Sequence, residues 1–182
     1  MTRSARSRRM KGLQRMLIPS VAVSAYYWWR YRAKISPRAE VDLSDSLSFG
    51  HNAVVGSFTK IKALDGPVHF GARAGIATGC FIAAGPGGIE VGDNFICGAN
   101  VNIVATNYQH GALDTHLEDL GSVSKGIRIG ANVWIGSGCT ITDGAEIGDN
   151  VIVAANSLVS RRYKSNQILQ GNPAKTLMKR RD

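Results

Sequence analysis

The feature that most narrows the folds open to this chain is a strict six-residue spacing of aliphatic residues. From Ile129, steps of six land on Ile135, Ile141, Ile147, Val153 and Val159. The residue after each is small or polar: Gly130, Gly136, Thr142, Gly148, Ala154 and Ser160. The fifth place of the hexad holds Val133, Cys139, Ala145, Val151 and Ser157, again small or β-branched. The same pattern recurs upstream in other phases, as Ile35, Val41 and Leu47, then Phe49, Val55 and Ile61, then Phe70, Ile76 and Ile82, then Val91, Cys97 and Ile103. Steps of nine, from Ile61 to Phe70 and from Ile82 to Val91, predict short corner insertions, the second at Gly85-Pro86-Gly87-Gly88.

Period six fits neither a helix nor an alternating hairpin sheet. It fits short strands joined by tight turns, with three hexads closing a triangular coil of about 18 residues. One aliphatic per hexad points inward, and coils stacked about 4.8 Å apart build a column of Ile and Val. The 21 glycines and the recurring asparagines supply the left-handed turn conformations. The predicted architecture is an all-β parallel β-helix of about six coils over residues 35–165. A helical segment over 1–34 precedes it and an extension over 166–182 follows. The repeat lapses after Ile103 and resumes at Ile127 and Ile129, which predicts an extruded loop over 107–126; long loops in compact folds are usually functional.

The net charge of +9 is unevenly placed. Residues 1–34 hold nine Lys or Arg and no acid; residues 35–160 hold six against twelve acids; residues 161–182 hold seven against one. The body is therefore mildly acidic, which argues against nucleic acid as a partner and confines positive charge to the two ends. Near the first end, the run from Met16 to Trp29 is shorter than the roughly 20 residues that span a bilayer. Tyr26, Tyr27, Trp28, Trp29 and Tyr31 with their flanking cations suit either the headgroup level of a membrane or packing against the body or a neighbouring subunit. Three cysteines without metal or redox spacing read as small buried hydrophobes: Cys97 at an inward place, Cys80 and Cys139 at the fifth place.

These hexads, followed by Gly171-Asn172-Pro173-Ala174-Lys175, resemble the hexapeptide-repeat acyltransferases, in particular those that O-acetylate sugars, antibiotics and polysaccharide precursors. The resemblance implies a left-handed parallel β-helix, a cytoplasmic homotrimer with sites between neighbouring subunits, acetyl-CoA as donor and no metal. It also implies a saccharide acceptor; the basic aromatic end, on its own residues, would hold the protein near the inner face of a membrane. Transfer to a hydroxyl needs a general base and a donor for the developing oxyanion. The family register places Tyr108 where the catalytic His commonly falls and His110 two residues on, and His110 is the expected base. His51 and His69 fall in the early coils, and His116 deep in the loop. Trp134 falls in the segment lining the pantetheine cleft, Ser137 where a backbone N–H meets the thioester oxygen, and Ala155 and Ser160 at contacts to the pantetheine arm. Arg161 and Lys175 match positions beside the CoA phosphates, whereas Lys164, Lys179, Arg180 and Arg181 read as a solvated tail. A family asparagine near the acceptor falls on Cys80. Two other readings use the same fold: a non-catalytic trimeric scaffold, and a metal-dependent hydratase like the γ-type carbonic anhydrases, which needs three His around a metal.

Overall fold

A computed structural model describes residues 18–109, 114, 116 and 119–180. The chain first forms helix α1 (Ser20–Tyr31), entered after Pro19 and ended by Arg32 in a left-handed conformation. It then winds as six triangular coils. Strands β1 (Lys34–Ile35), β2 (Glu40–Val41) and β3 (Leu47–Phe49) make the first coil, and β4 (Val54–Val55), β5 (Lys60–Lys62) and β6 (Val68–Phe70) the second. The third has β7 (Gly75–Ile76), β8 (Phe81–Ala84) and β9 (Ile89–Val91). The fourth has β10 (Ile96–Cys97) and β11 (Asn102–Ala105), then a short pair β12 (Asn107–Tyr108) and β13 (Ser122–Val123), then β14 (Ile127–Ile129). The fifth has β15 (Trp134–Ile135), β16 (Thr140–Thr142) and β17 (Glu146–Ile147), and the sixth β18 (Ile152–Val153), β19 (Leu158–Val159) and β20 (Arg162–Tyr163). Corresponding strands pair in parallel with those one coil away, giving three sheets that form the faces of a prism. The winding is left-handed, as the resemblance implies.

The hexad rule holds in three dimensions. Ile35, Val55, Ile76, Cys97, Ile135 and Val153 stack inward on the first face, Val41, Ile61, Ile82, Ile103, Ile141 and Val159 on the second. Each fully buried aliphatic of this kind stabilises the column by about 1.5–3 kcal/mol. At the corner from third face to first, Asn52, Arg73, Asn94, Asn132, Asn150 and Asn166 all take positive φ. Asn132 Nδ2 donates to Asn150 Oδ1 at 2.7 Å, and Asn150 Nδ2 to Asn166 Oδ1 at 3.0 Å, so the turn residue of one coil holds that of the next.

Both ends are closed. At the first coil α1 lays Val23 and Tyr27 on the column, where Tyr27 is edge-on to Phe49 and its hydroxyl donates to Asp42 O at 2.8 Å. Burial pushes the Tyr27 phenol well above its ordinary pKa, so it stays a donor. At the far end the column continues past residue 165: β21 (Gln167–Gln170) adds a seventh strand to the first face and β22 (Lys175–Lys179) folds back antiparallel on it. There Tyr163 takes the inward place, and its hydroxyl donates to Ala174 O at 2.6 Å.

Candidate functional site

The three corners are built differently. At the first, between third face and first, Asp93 Oδ1 accepts from Ala72 N at 2.7 Å and Asp149 Oδ1 from Ala131 N at 2.7 Å; Ser165 Oγ accepts from Asp149 N at 2.9 Å. A polar side chain of the next coil thus caps the turn amide below it. The third corner, between second face and third, is closed similarly: Asp143 accepts from Lys125 N and Gly126 N, and Ser124 Oγ accepts from Gly87 N while donating to Ala105 O.

At the second corner, between first face and second, the middle turn amides of the fourth, fifth and sixth coils have no such caps among the described residues. In these three coils the turns are Gly98-Ala99-Asn100, Gly136-Ser137-Gly138 and Ala154-Ala155-Asn156, all small residues before a left-handed one. Among the described residues, the N–H groups of Ala99, Ser137 and Ala155 meet no acceptor, although the amides on either side are paired, as Gly136 N with Val153 O and Gly138 N with Ala99 O. A Cβ on Gly136 would stand 2.5 Å from Ala155 N, so glycine here lets the turns close up. The three open amides repeat coil by coil along one edge.

Beside this edge runs an apolar strip. The outward residues Ile96, Trp134, Ile152 and Ile168 pair coil to coil on the first face. Trp134 is 53% exposed, so its indole serves no core role. The second face separates the open edge from Ser160 and Arg161, which stand at the third corner of the sixth coil; five residues of extended chain give about 16 Å from Ala155 to Ser160. Lys175 is exposed at the start of β22. Arg161 is drawn toward it, for its Nη2 donates to Ala174 O at 3.5 Å, its Nε to the Tyr163 hydroxyl at 3.2 Å, and its guanidinium lies 5.4 Å over that ring.

Of the expected catalytic pair, His110 lies outside the described residues. Tyr108 is 64% exposed on the hairpin β12–β13, where it pairs with Ser122. That hairpin leaves the fourth coil at the third corner, so within one chain its base and the Ser137 turn stand at opposite edges of the second face. His51 is exposed, and so is His116; His69 Nδ1 meets Ser48 Oγ at 2.6 Å on the third face. Cys80 does not line the edge despite its register. Its side chain is buried beneath the second corner, with Sγ 3.9 Å from that of Cys97. The contact between the sulfurs draws the Cys80 thiol down to about 7 and, with burial, pushes Cys97 up. Among the described residues no three His, Cys, Asp or Glu converge as a metal site. Sequence reasoning had singled out Ser137 and Ala155 but passed over Ala99, Ile96 and Ile152. The signal was present: Ala99, Ser137 and Ala155 all stand two places after an inward residue.

The family model described as "Bacterial transferase hexapeptide (six repeats)" matches residues 126–161, which covers the fifth coil and most of the sixth. Among curated proteins, the chain is similar to the Galactoside O-acetyltransferase of Escherichia coli, 33% identical over 49% of this chain and 43% of that protein. It is also similar to the "Putative lipopolysaccharide biosynthesis O-acetyl transferase WbbJ" of Escherichia coli, 28% identical over 74% of this chain and 72% of that one. For most of the curated relatives the chain spans less than half of the relative's own length. Among solved structures, a variant of AntD, an N-acyltransferase from Bacillus cereus in complex with dTDP and Coenzyme A, superposes with a TM-score of 0.75. Identity is 20%, over 86% of this chain and 88% of that one, so this likeness shows the fold alone.

Proposed function

We propose that this chain, a member of the hexapeptide-repeat transferase family, transfers an acetyl group from acetyl-CoA to a hydroxyl of a saccharide or polysaccharide precursor. The observation that carries the reading is the row of open turn amides at Ala99, Ser137 and Ala155 beside the apolar strip that holds Trp134. A pantetheine arm is an apolar chain interrupted by amide carbonyls, and needs such donors at intervals along an apolar wall. Arg161 and Lys175, about a CoA's reach away across the second face, supply cations for its phosphates.

In this reading the acceptor hydroxyl attacks the thioester carbon while His110 takes its proton. The carbonyl becomes an oxyanion that the Ser137 N–H receives. Collapse of the tetrahedral species breaks the C–S bond, and the proton held by His110 goes to the departing thiolate. Preorganised donors aimed at developing charge are usually the largest single contribution in such reactions. A well-placed general base contributes typically about 10²–10⁴-fold, and Tyr108, two residues before His110, is assigned to positioning the acceptor.

The separation of hairpin and open edge supports a homotrimer: the hairpin of one copy, leaving at the third corner, approaches the second corner of its neighbour. CoA thiol release from acetyl-CoA with a panel of sugars and nucleotide sugars tests the whole reading. Acceptor-dependent release in the wild type is expected to fall by about 10²–10⁴-fold in His110→Ala and by far less in Tyr108→Phe. Acetyl-CoA binding without release from any acceptor would point to a scaffold, and no binding at all would overturn the proposal.

A further inference from the structure

Helix α1 is apolar on two sides. One stripe, Val23 and Tyr27 with half-buried Tyr31, covers the first coil. The other consists of Val21, Ala25, Trp28 and Trp29, spaced i, i+4, i+7 and i+8 on a single helix face. It points away from the body: Val21 is 63% exposed, Trp28 51% and Trp29 74%. The column is covered by Val23 and Tyr27, with Ile18, Tyr26 and Tyr31 partly buried beside them, and the two exposed indoles lie outside that contact.

The surroundings of this stripe are cationic. Arg32 places its guanidinium 5.0 Å over the Trp28 ring, and Arg30 donates to the Tyr31 hydroxyl at 3.0 Å, so both cations flank the indoles without interrupting them. The whole stretch 1–34 holds nine Lys or Arg and no acid. A second copy of the same face would bring like charges together, which is repulsive. Indoles with an apolar body and a polar N–H, bordered by cations, match the boundary of a bilayer that carries anionic headgroups. At 12 residues α1 is about 18 Å long, and no described helix is long and apolar enough to cross a membrane.

We propose that the outward face of α1 docks the protein on an anionic lipid surface, lying in its plane with Trp28 and Trp29 at headgroup depth and Arg30 and Arg32 against lipid phosphates. This inference does not depend on the acetyl-transfer reading, because its readout is partitioning and not turnover. The test is flotation of the full chain with vesicles of phosphatidylcholine alone and of phosphatidylcholine mixed with phosphatidylglycerol, with indole fluorescence recorded alongside.

Binding is expected only to the anionic vesicles, with a blue shift and with loss at high salt. The double variant Trp28→Ser/Trp29→Ser is expected to lower partitioning by roughly tenfold or more, to lose the blue shift, and to keep its thermal midpoint. Equal binding to both vesicle types, or none to either, overturns the proposal. So does a double variant whose assembly mass changes in light scattering, since the face would then lie between copies of the chain.

Discussion

At several turns the first and second corners of the column treat the same backbone group in opposite ways. At the first, Asp93 and Asp149 reach down to cap Ala72 N and Ala131 N, and the asparagines above and below them bond to one another. At the second, the matching amides of Ala99, Ser137 and Ala155 have no acceptor among the described residues. The backbone path is nearly the same, and the difference lies in one side chain per turn: Asp in Gly92-Asp93-Asn94 and Gly148-Asp149-Asn150, but Ala or Ser in Gly98-Ala99-Asn100 and Gly136-Ser137-Gly138. A cap of this kind contributes about 0.5–1.5 kcal/mol, so stability alone would favour filling both corners. Leaving one open gives up that contribution and leaves a row of donors free, which the proposed acetyl-CoA site would use.

The contrast can be broken most severely at Ser137. The left-handed residue that follows it gives the turn the form in which proline is well accommodated one place earlier. Ser137→Pro should therefore delete one open N–H with little effect on folding, and kcat for acetyl transfer is expected to fall by about 10²-fold while the melting temperature stays put. Steady-state kinetics and calorimetry check the two halves of this statement.

Turning the open corner into a closed one is the next strongest intervention. Ala155 stands over Ser137 as Asp149 stands over Ala131, 18 residues on in both cases. Ala155→Asp should cap the Ser137 amide, raising stability by about 0.5–1.5 kcal/mol and raising KM for acetyl-CoA by more than tenfold, because a carboxylate then occupies the donor. A variant that gained stability and bound acetyl-CoA as before would show that the edge has no part in binding.

Trp134→Ala removes an indole that the core does not use. KM for acetyl-CoA is expected to rise by about tenfold, equivalent to about 1.4 kcal/mol of lost apolar contact, with unfolding in urea unchanged. The smallest effect belongs to the closed corner. Asp149→Ala should lower stability by about 1 kcal/mol and leave kcat and KM for acetyl-CoA at their wild-type values, as measured by urea titration and the same kinetic assay.

Much of the fold was legible because the hexad ties sequence position to direction. Ile135, Ile141 and Val153 point inward as their spacing requires, and Cys97 fills an aliphatic place without disturbing it. The same rule put Cys80 and Cys139 in the interior, where both are buried. The closed and open corners were not legible. Whether an amide is capped depends on a side chain 18 residues further along the chain at Ala131, and local spacing carries no record of that pairing. The seventh strand escaped for another reason: Tyr163 and Ser165 interrupt the aliphatic series before Ile168 and Leu169 resume it. In the aromatic run, composition could not tell Tyr27 from Trp28 and Trp29. Only the turn of a helix assigns one to the core and the others to the outside. His110, on which the chemistry of the proposal turns, lies outside the described residues.

The closure of the first coil by α1 has a consequence for how this molecule avoids growing into a polymer. A stack of parallel strands ends in rows of unsatisfied amides and carbonyls, and such an end is a template on which another stack can add. The ring of Tyr27 over Phe49, anchored through its hydroxyl to Asp42 O, covers that end, and the returning strand β22 reverses chain direction at the other. A chain cut back to Ala33 would keep every coil and lose one of its two stoppers. Its failure would then be end-to-end fibre formation at high concentration, with each coil still folded.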